Sequence, residues 1–463
     1  MTNQHPEQAE TGKQSSSSPL LLGHARAEIT PPLGLPMAGY AWRKNDGCTA
    51  VDDPLYADAC LLQQGETRFL LITTDLCSVD ENWSAPLRER IAASTGISPQ
   101  NIVITASHTH FGPKMMSKPI SDAHQAWQEE TWNKLHDIAF AASTGDLQPV
   151  SLRWAISDFS QIAFNRRLVR PDGTCCTTYN LPPSEENLRF RPIDPKQTVL
   201  RFDNAAGTPV LLLVSTPMHA VVGGTNPFAI SADYPGVLRS CLEEVYHTPL
   251  MFLAGTAGNV VPIKRGPGMR RIIGGYLAGA AVKAIESAPK AAAGEGRLGV
   301  VSHRFALPAA KRLSEEEMRQ AIAQAQEQLA QCRAAGASPW EIARAEYRVQ
   351  RAEGLLQLTL RRGQGTTIPW EITVLAFDRL SLAFLPGEIL AETGLQIQAR
   401  SPFDTTVVAS LANLCPGYLA TRNTLWEGGY EGSFTQVYSE ESELHAVDTA
   451  IKLLLEAWEK TRY

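Results

Sequence analysis

The sequence predicts an α/β protein: a single large domain built on a mixed sheet. Three observations carry that prediction. Apolar runs joined by short polar turns recur along the chain and read as hairpins. Helical patterns lie between them, and hairpins mixed with helices argue for a mixed sheet. The chain has 463 residues, enough for one sizeable core.

The elements follow in order. "MTNQHPEQAETGKQSSSS" is polar and reads as a disordered tail over residues 1–19, so the folded domain is expected over 20–463. "ACLLQQGETRFLLITTD" reads as a hairpin with Gly65 in its turn. The helix "NWSAPLRERIAAS", the buried strand "NIVITAS" and the helix "DAHQAWQEETWNKLHDIAFAAS" follow. "TVLRFDNAAGTPVLLLVST" is a second hairpin with Asn204 to Gly207 as its loop. Next come the helix "GVLRSCLEEVY", the strand "PLMFLAG" entering a Gly-rich turn, and the helix "GGYLAGAAVKAIES". "EITVLAFDRLSLAFLPGE" is a third hairpin. The helix "EILAETGLQIQAR", the strand "TTVVASLAN" and the helix "ELHAVDTAIKLLLEAWEK" complete the chain. No internal repeat is evident in the sequence.

Residues 314–357 differ and read as an inserted helical hairpin. Ser314 with Glu317 forms a capping box, Gly336 ends the first helix, and Ser338-Pro339 starts the second. Met318, Ile322, Ala325 and Leu329 make one apolar stripe. The segment could be an arm through which the protein forms a homo-oligomer, or an ordinary packed helix pair.

Composition excludes some functions. Formal net charge is −6, which gives no electrostatic footprint for nucleic acid. No apolar run reaches the roughly 20 residues of a transmembrane helix. The eight cysteines form no CxxC, and the N-terminus has no signal-peptide pattern. Reduced thiols and a cytoplasmic location are the expectation.

Chemically capable residues stand just past strand ends, where open α/β sheets bind ligands. His108 and His110 follow "NIVITAS", His219 follows "VLLLVSTPM", Glu388 follows "LSLAFLPG" and Tyr418 follows "VVASLANLCPG". Residues i and i+2 of an extended chain share a face, so His108 and His110 would point the same way. Imidazole, carboxylate and phenolate suit Zn²⁺. Spacing leaves alternatives open. An HxH pair can arise by chance, His219 could be a hydrogen-bonded core histidine, and Glu388 could cap the helix after it. No GxSxG, HExxH or P-loop is present, and "GGYLAG", Gly274 to Gly279, lacks GxGxxG spacing and sits in a helical pattern.

An ordered set of segments resembles the neutral ceramidase family. "AEITPPLGLPMAGYA" is similar to that family's opening, "SHTHFGP" to its THTHSGP, and "FNRRL" to its Asn-Arg-Ser segment. "ISADYPG", "FLAGTAGNVVP", "LPGE" and "LANLCPGYLATRNTLWEGGYEG" continue the likeness in the same order. The resemblance implies a mixed-sheet zinc amidohydrolase acting on an N-acyl small molecule or lipid. It places the zinc ligands at His108, His219, Glu388 and Tyr418. It places His110, Arg166 and Tyr430 at the reaction centre, although Arg167 could take the place of Arg166. His110 would move protons, Arg166 and Tyr430 would stabilise an oxyanion, and Tyr418 would carry partial phenolate character. The sequence ends after its last helix, so no C-terminal immunoglobulin-like domain is expected. Phe111 replaces the family's serine and Asn259 its aspartate. An esterase or lactonase at the same centre, a non-enzymatic metal- or ligand-binding protein, and an assembly scaffold are the alternatives.

Overall fold

The computed structural model describes residues 18–462, apart from 117, 183–186, 289–295, 311–313, 338–341, 343–344, 347, 350–351, 354–355, 357–365 and 435–436. The expected tail therefore lies almost entirely outside the described residues. All three expected hairpins form: Tyr56–Gln64 with Thr67–Thr74, Lys196–Asp203 with Pro209–Thr216, and Thr367–Phe377 with Leu380–Phe384. Each turn carries a left-handed residue, at Gly65, Gly207 and Asp378.

The expectation of one mixed sheet needs correction, because each hairpin founds a sheet of its own. The principal sheets have five, four and four strands. All three share one local pattern. The second hairpin strand crosses through a helix to a parallel neighbour. Thr67–Thr74 leads through Glu81–Thr95 to Ile102–Ala106, and Pro209–Thr216 leads through Asp233–Tyr246 to Leu250–Ala254. Leu380–Phe384 leads through Ala391–Arg400 to Thr405–Ala409. Similarity of this kind lies in the pairing of strands and leaves no repeat in the residues.

The reason for three sheets is visible in the burial. Side chains alternate across a strand, and here both faces are apolar. Leu61, Leu70 and Ile72 enter one core, while Leu62, Phe69 and Leu71 enter another. That second core also takes Leu200 and Leu213 from the second sheet and Leu375, Leu382 and Phe384 from the third. The sheets thus face a shared apolar centre, where Phe69 stacks on Phe384 at 5.6 Å and an apolar gap of about 20 Å³ remains. Helices cover the outer faces. Asp122–Thr144 packs on the first sheet, Met269–Ser287 on the second and Ser442–Arg462 on the third.

Two helices start earlier than expected, at Asp233 and Met269 rather than Gly236 and Gly274. Pro235 is tolerated in a first turn, where its missing N–H has no helical partner to lose. Three longer strands, Leu21–Glu28, Ser151–Asp158 and Leu298–Pro308, escape the sequence pattern because charged residues interrupt their apolar positions. The capping box at Ser314 and Glu317 forms and opens the helix Glu315–Ala334. The expected second helix of the arm falls largely outside the described residues, and those described between 342 and 356 are helical. No described helix is long and apolar enough to cross a membrane.

Candidate metal centre and its surroundings

The repeated pattern brings the strand ends to one place. His108 and His110 follow the parallel strand of the first sheet, and His219 follows the hairpin of the second. Glu388 and Tyr418 follow the third sheet's strands and pair side by side in a short parallel bridge. Backbone hydrogen bonds lace these ends together. His110 N donates to Ala220 O at 3.1 Å, Gly258 N to Ile389 O at 2.9 Å, and Asn413 N to Ile104 O at 2.8 Å.

His108, His219 and Glu388 offer donor atoms within 4.8 Å of one another. Each histidine is oriented by its other nitrogen. His108 Nδ1 lies 2.6 Å from Cys77 O, and His219 Nδ1 lies 2.5 Å from Ala257 O. A carbonyl only accepts, so both Nδ1 atoms carry the proton and both Nε2 lone pairs face inward. Glu388 Oε2 stands 3.2 Å from His108 Nε2 and 3.4 Å from His219 Nε2. Yet Glu388 Oε2 and His219 Nε2 are buried without a hydrogen-bond partner. Buried polar atoms are rarely left so. Inward lone pairs beside an unsatisfied carboxylate fit a cation, and ligating histidines ordinarily donate their second nitrogen to a carbonyl in this way.

Electrostatics point the same way. Burial opposes the charged form of His108, but Glu388 and Cys77 overcome it and raise its pKa well above the usual range. Burial would likewise raise Glu388, yet the two imidazoles hold it well below the ordinary carboxylate range. The carboxylate stays charged and calls for a positive partner. Burial and the neighbouring Arg166 lower His219 to about 4. Burial, with His108 and His219 beside it, holds His110 well below its usual value, so that ring is neutral.

The other site residues gather around this trio. His110 Nε2 is 3.4 Å from His108 Nε2, and His110 Nδ1 is buried without a partner. Tyr418 Oη accepts from Arg166 Nη2 at 3.1 Å. Burial and Glu388 raise the Tyr418 pKa well above its usual value, so the phenol is neutral here. Tyr430 lies 5.7 Å from the Tyr418 ring and 5.4 Å from the Arg166 guanidinium. Glu388 does not cap the following helix; Leu390 holds the N-cap position. Arg166 and Arg167 diverge. Arg166 faces the tyrosines, and Arg167 reaches Gly428 O, Thr424 O and Glu427.

Several supporting residues were not singled out from the sequence. Glu431, fully buried, binds Arg166 Nε at 2.7 Å and Arg167 Nη1 at 2.9 Å. Fully buried Arg43 donates to Ala38 O, His110 O and Pro227 O and pins the His110 backbone. Cys77 joins His108 and His110 in a second cluster of ligand-type atoms. Their only signal is the neighbouring motif, since their partners lie far along the chain. Asp233 is structural: it accepts from Val222 N, Gly223 N and Tyr234 N, fixing the loop after His219. At Asn259, the amide donates to Glu392 at 2.7 Å and its oxygen accepts from Ala391 N at 2.9 Å. An aspartate could not donate to Glu392.

Gly387 sets the bridge between Glu388 and Tyr418. Its φ is +73°, and a Cβ there would lie 2.5 Å from Gly417 O. Gly387→Ala is therefore expected to cost at least about 1–2 kcal/mol, from left-handed strain alone. Urea unfolding measures this, and an unchanged midpoint contradicts the contact.

The fold and site together define a mixed α/β protein with a largely buried His₂Glu cluster whose donor atoms could hold a metal. Residues 20–261 match the family described as neutral/alkaline non-lysosomal ceramidase, N-terminal. The chain belongs to that family. Its structure is similar to that of neutral ceramidase from Pseudomonas aeruginosa, with a TM-score of 0.68 and 19% identity over 96% of this chain and 75% of that one. It is equally similar to a ceramidase complexed with C2, with a TM-score of 0.68 and 19% identity over 96% and 76% of the two chains. At that identity the likeness concerns the fold. No curated protein matches the sequence.

Proposed function

We propose that the protein is a zinc-dependent hydrolase cleaving the amide bond of an N-acyl small molecule or ceramide-like lipid. Family membership supports the reaction class. One observation carries the metal reading: two anchored imidazoles and a carboxylate converge, with His219 Nε2 and Glu388 Oε2 buried and left without a hydrogen-bond partner. His108, His219, Glu388 and Tyr418 would hold the zinc. A zinc ion supplies Lewis acidity that makes water nucleophilic near neutral pH.

The chain's own residues do the rest. His110 is neutral and adjacent, so it can accept the proton that water loses. It can then deliver that proton to the nitrogen as the C–N bond breaks, giving a carboxylic acid and an amine. Burial and the Glu388 charge keep Tyr430 protonated, so its hydroxyl can donate to the oxygen that gains charge. Arg166 adds positive charge beside it and holds Tyr418 in place. The partial phenolate expected of Tyr418 would require the cation itself. An ester or lactone would be opened by the same groups, and a substrate panel separates these. The described cysteines form no disulfide.

His110→Ala is expected to retain about one zinc per chain. It should slow amide hydrolysis by about 10²- to 10⁴-fold. Metal analysis beside steady-state kinetics checks both, and undiminished turnover removes His110 from the mechanism.

A further inference from the structure

We propose that Arg265 binds a carboxylate of the substrate beside the reaction centre, so that the preferred substrate is an N-acyl amino acid type of compound. This rests on the amide-hydrolase reading above and narrows its substrate class.

The guanidinium is unusual in this chain. Its Nε and Nη2 atoms are both buried without a hydrogen-bond partner, and among the described residues it has no carboxylate within ion-pair distance. Arg43, Arg68 and Arg167 each leave one nitrogen unpartnered, but each spends its others on carbonyls or carboxylates. Nε and Nη2 form one edge of the planar fork. Two parallel N–H groups on that edge match the two oxygens of a carboxylate. Leaving such an edge buried and unmatched is costly, and a ligand oxygen pair would satisfy it.

The position suits a substrate. Arg265 follows the strand Val260–Pro262, whose Val260 O accepts from His219 N at 3.0 Å. Its loop is tied on both sides, by Ile263 N to Ile162 O at 2.9 Å and Gly266 N to Val222 O at 2.8 Å. The Tyr179 ring stands between two guanidinium groups, 5.7 Å from Arg265 and 5.5 Å from Arg166. Tyr179 is 44% exposed, so this side opens to solvent. Arg166 has its charge matched by Glu431, whereas Arg265 does not.

The test compares release of laurate from N-lauroylglycine and from N-lauroylglycinamide, in which a neutral carboxamide replaces the carboxylate. With the zinc-loaded full chain, kcat/KM should favour the carboxylate by about ten- to a hundred-fold, as a charge-assisted pair provides. Arg265→Gln should bring that ratio close to one, and Arg265→Lys, which keeps charge but not the fork, should leave an intermediate value. Should the glutamine variant not fold, the lysine variant's fall in the ratio gives the answer. Dissociation constants for the same two compounds, by calorimetry, are a second readout. If neither compound is hydrolysed but the carboxylate binds more tightly and Arg265→Gln removes that preference, the amide-hydrolase reading fails and the anion site stands. Equal treatment of both compounds by wild type, or a preference that survives Arg265→Gln, overturns the inference.

Discussion

Replacing His108 or His219 with alanine is expected to remove zinc from the protein. The wild-type chain should hold about one zinc, as a mononuclear site does. Each variant should fall below about a tenth of that and lose hydrolysis, because a catalytic centre built from three or four protein ligands does not survive loss of one. The effect should also appear without substrate. A ligand that binds only the folded state stabilises it by about 2.7 kcal/mol at a hundred times its dissociation constant. Added zinc should raise the melting temperature of the metal-free wild type and leave both variants unmoved. Full zinc occupancy in both variants would exclude the site. The carbonyls of Cys77 and Ala257 hold these rings.

The second large effect is expected at Glu431, which touches no substrate in this reading. Its carboxylate lies between the guanidinium groups of Arg166 and Arg167, all three side chains being buried. Burial pushes its pKa up, but the two arginines more than reverse this and hold it lowered. Glu431→Ala would leave two neighbouring buried cations without that countercharge. Breaking such a pair from one side typically costs about 3–5 kcal/mol. Urea unfolding of Glu431→Ala should show a loss of that order. A loss under about 0.5 kcal/mol, typical of surface positions, would contradict the network. Activity should fall too, since Arg166 links Glu431 to Tyr418.

Much of the site was legible from the chain because its chemistry sits at the ends of recognisable strands. His108, His110, His219, Glu388 and Tyr418 each follow an apolar run, and the fold brings those ends together. Local pattern could not tell Arg166 from Arg167, because only their distant partners distinguish them. Tyr418 and Glu431 lie 252 and 265 residues away from Arg166. Arg43 was silent for the same reason: it pins the backbone of a residue 67 positions on. Arg265 carries no sequence signal, since the absence of a partner is a property of the folded interior.

Hairpins, crossover helices and the ligand-type residues after them follow from short-range patterns of apolar and polar side chains, which the sequence carries by itself. The number of sheets does not. Both faces of the hairpin strands are apolar, so each strand reads the same whether it joins one wide sheet or faces two others across a core. Only packing decided that three sheets share one apolar centre. That arrangement turns their strand ends inward and brings two histidines and a carboxylate together.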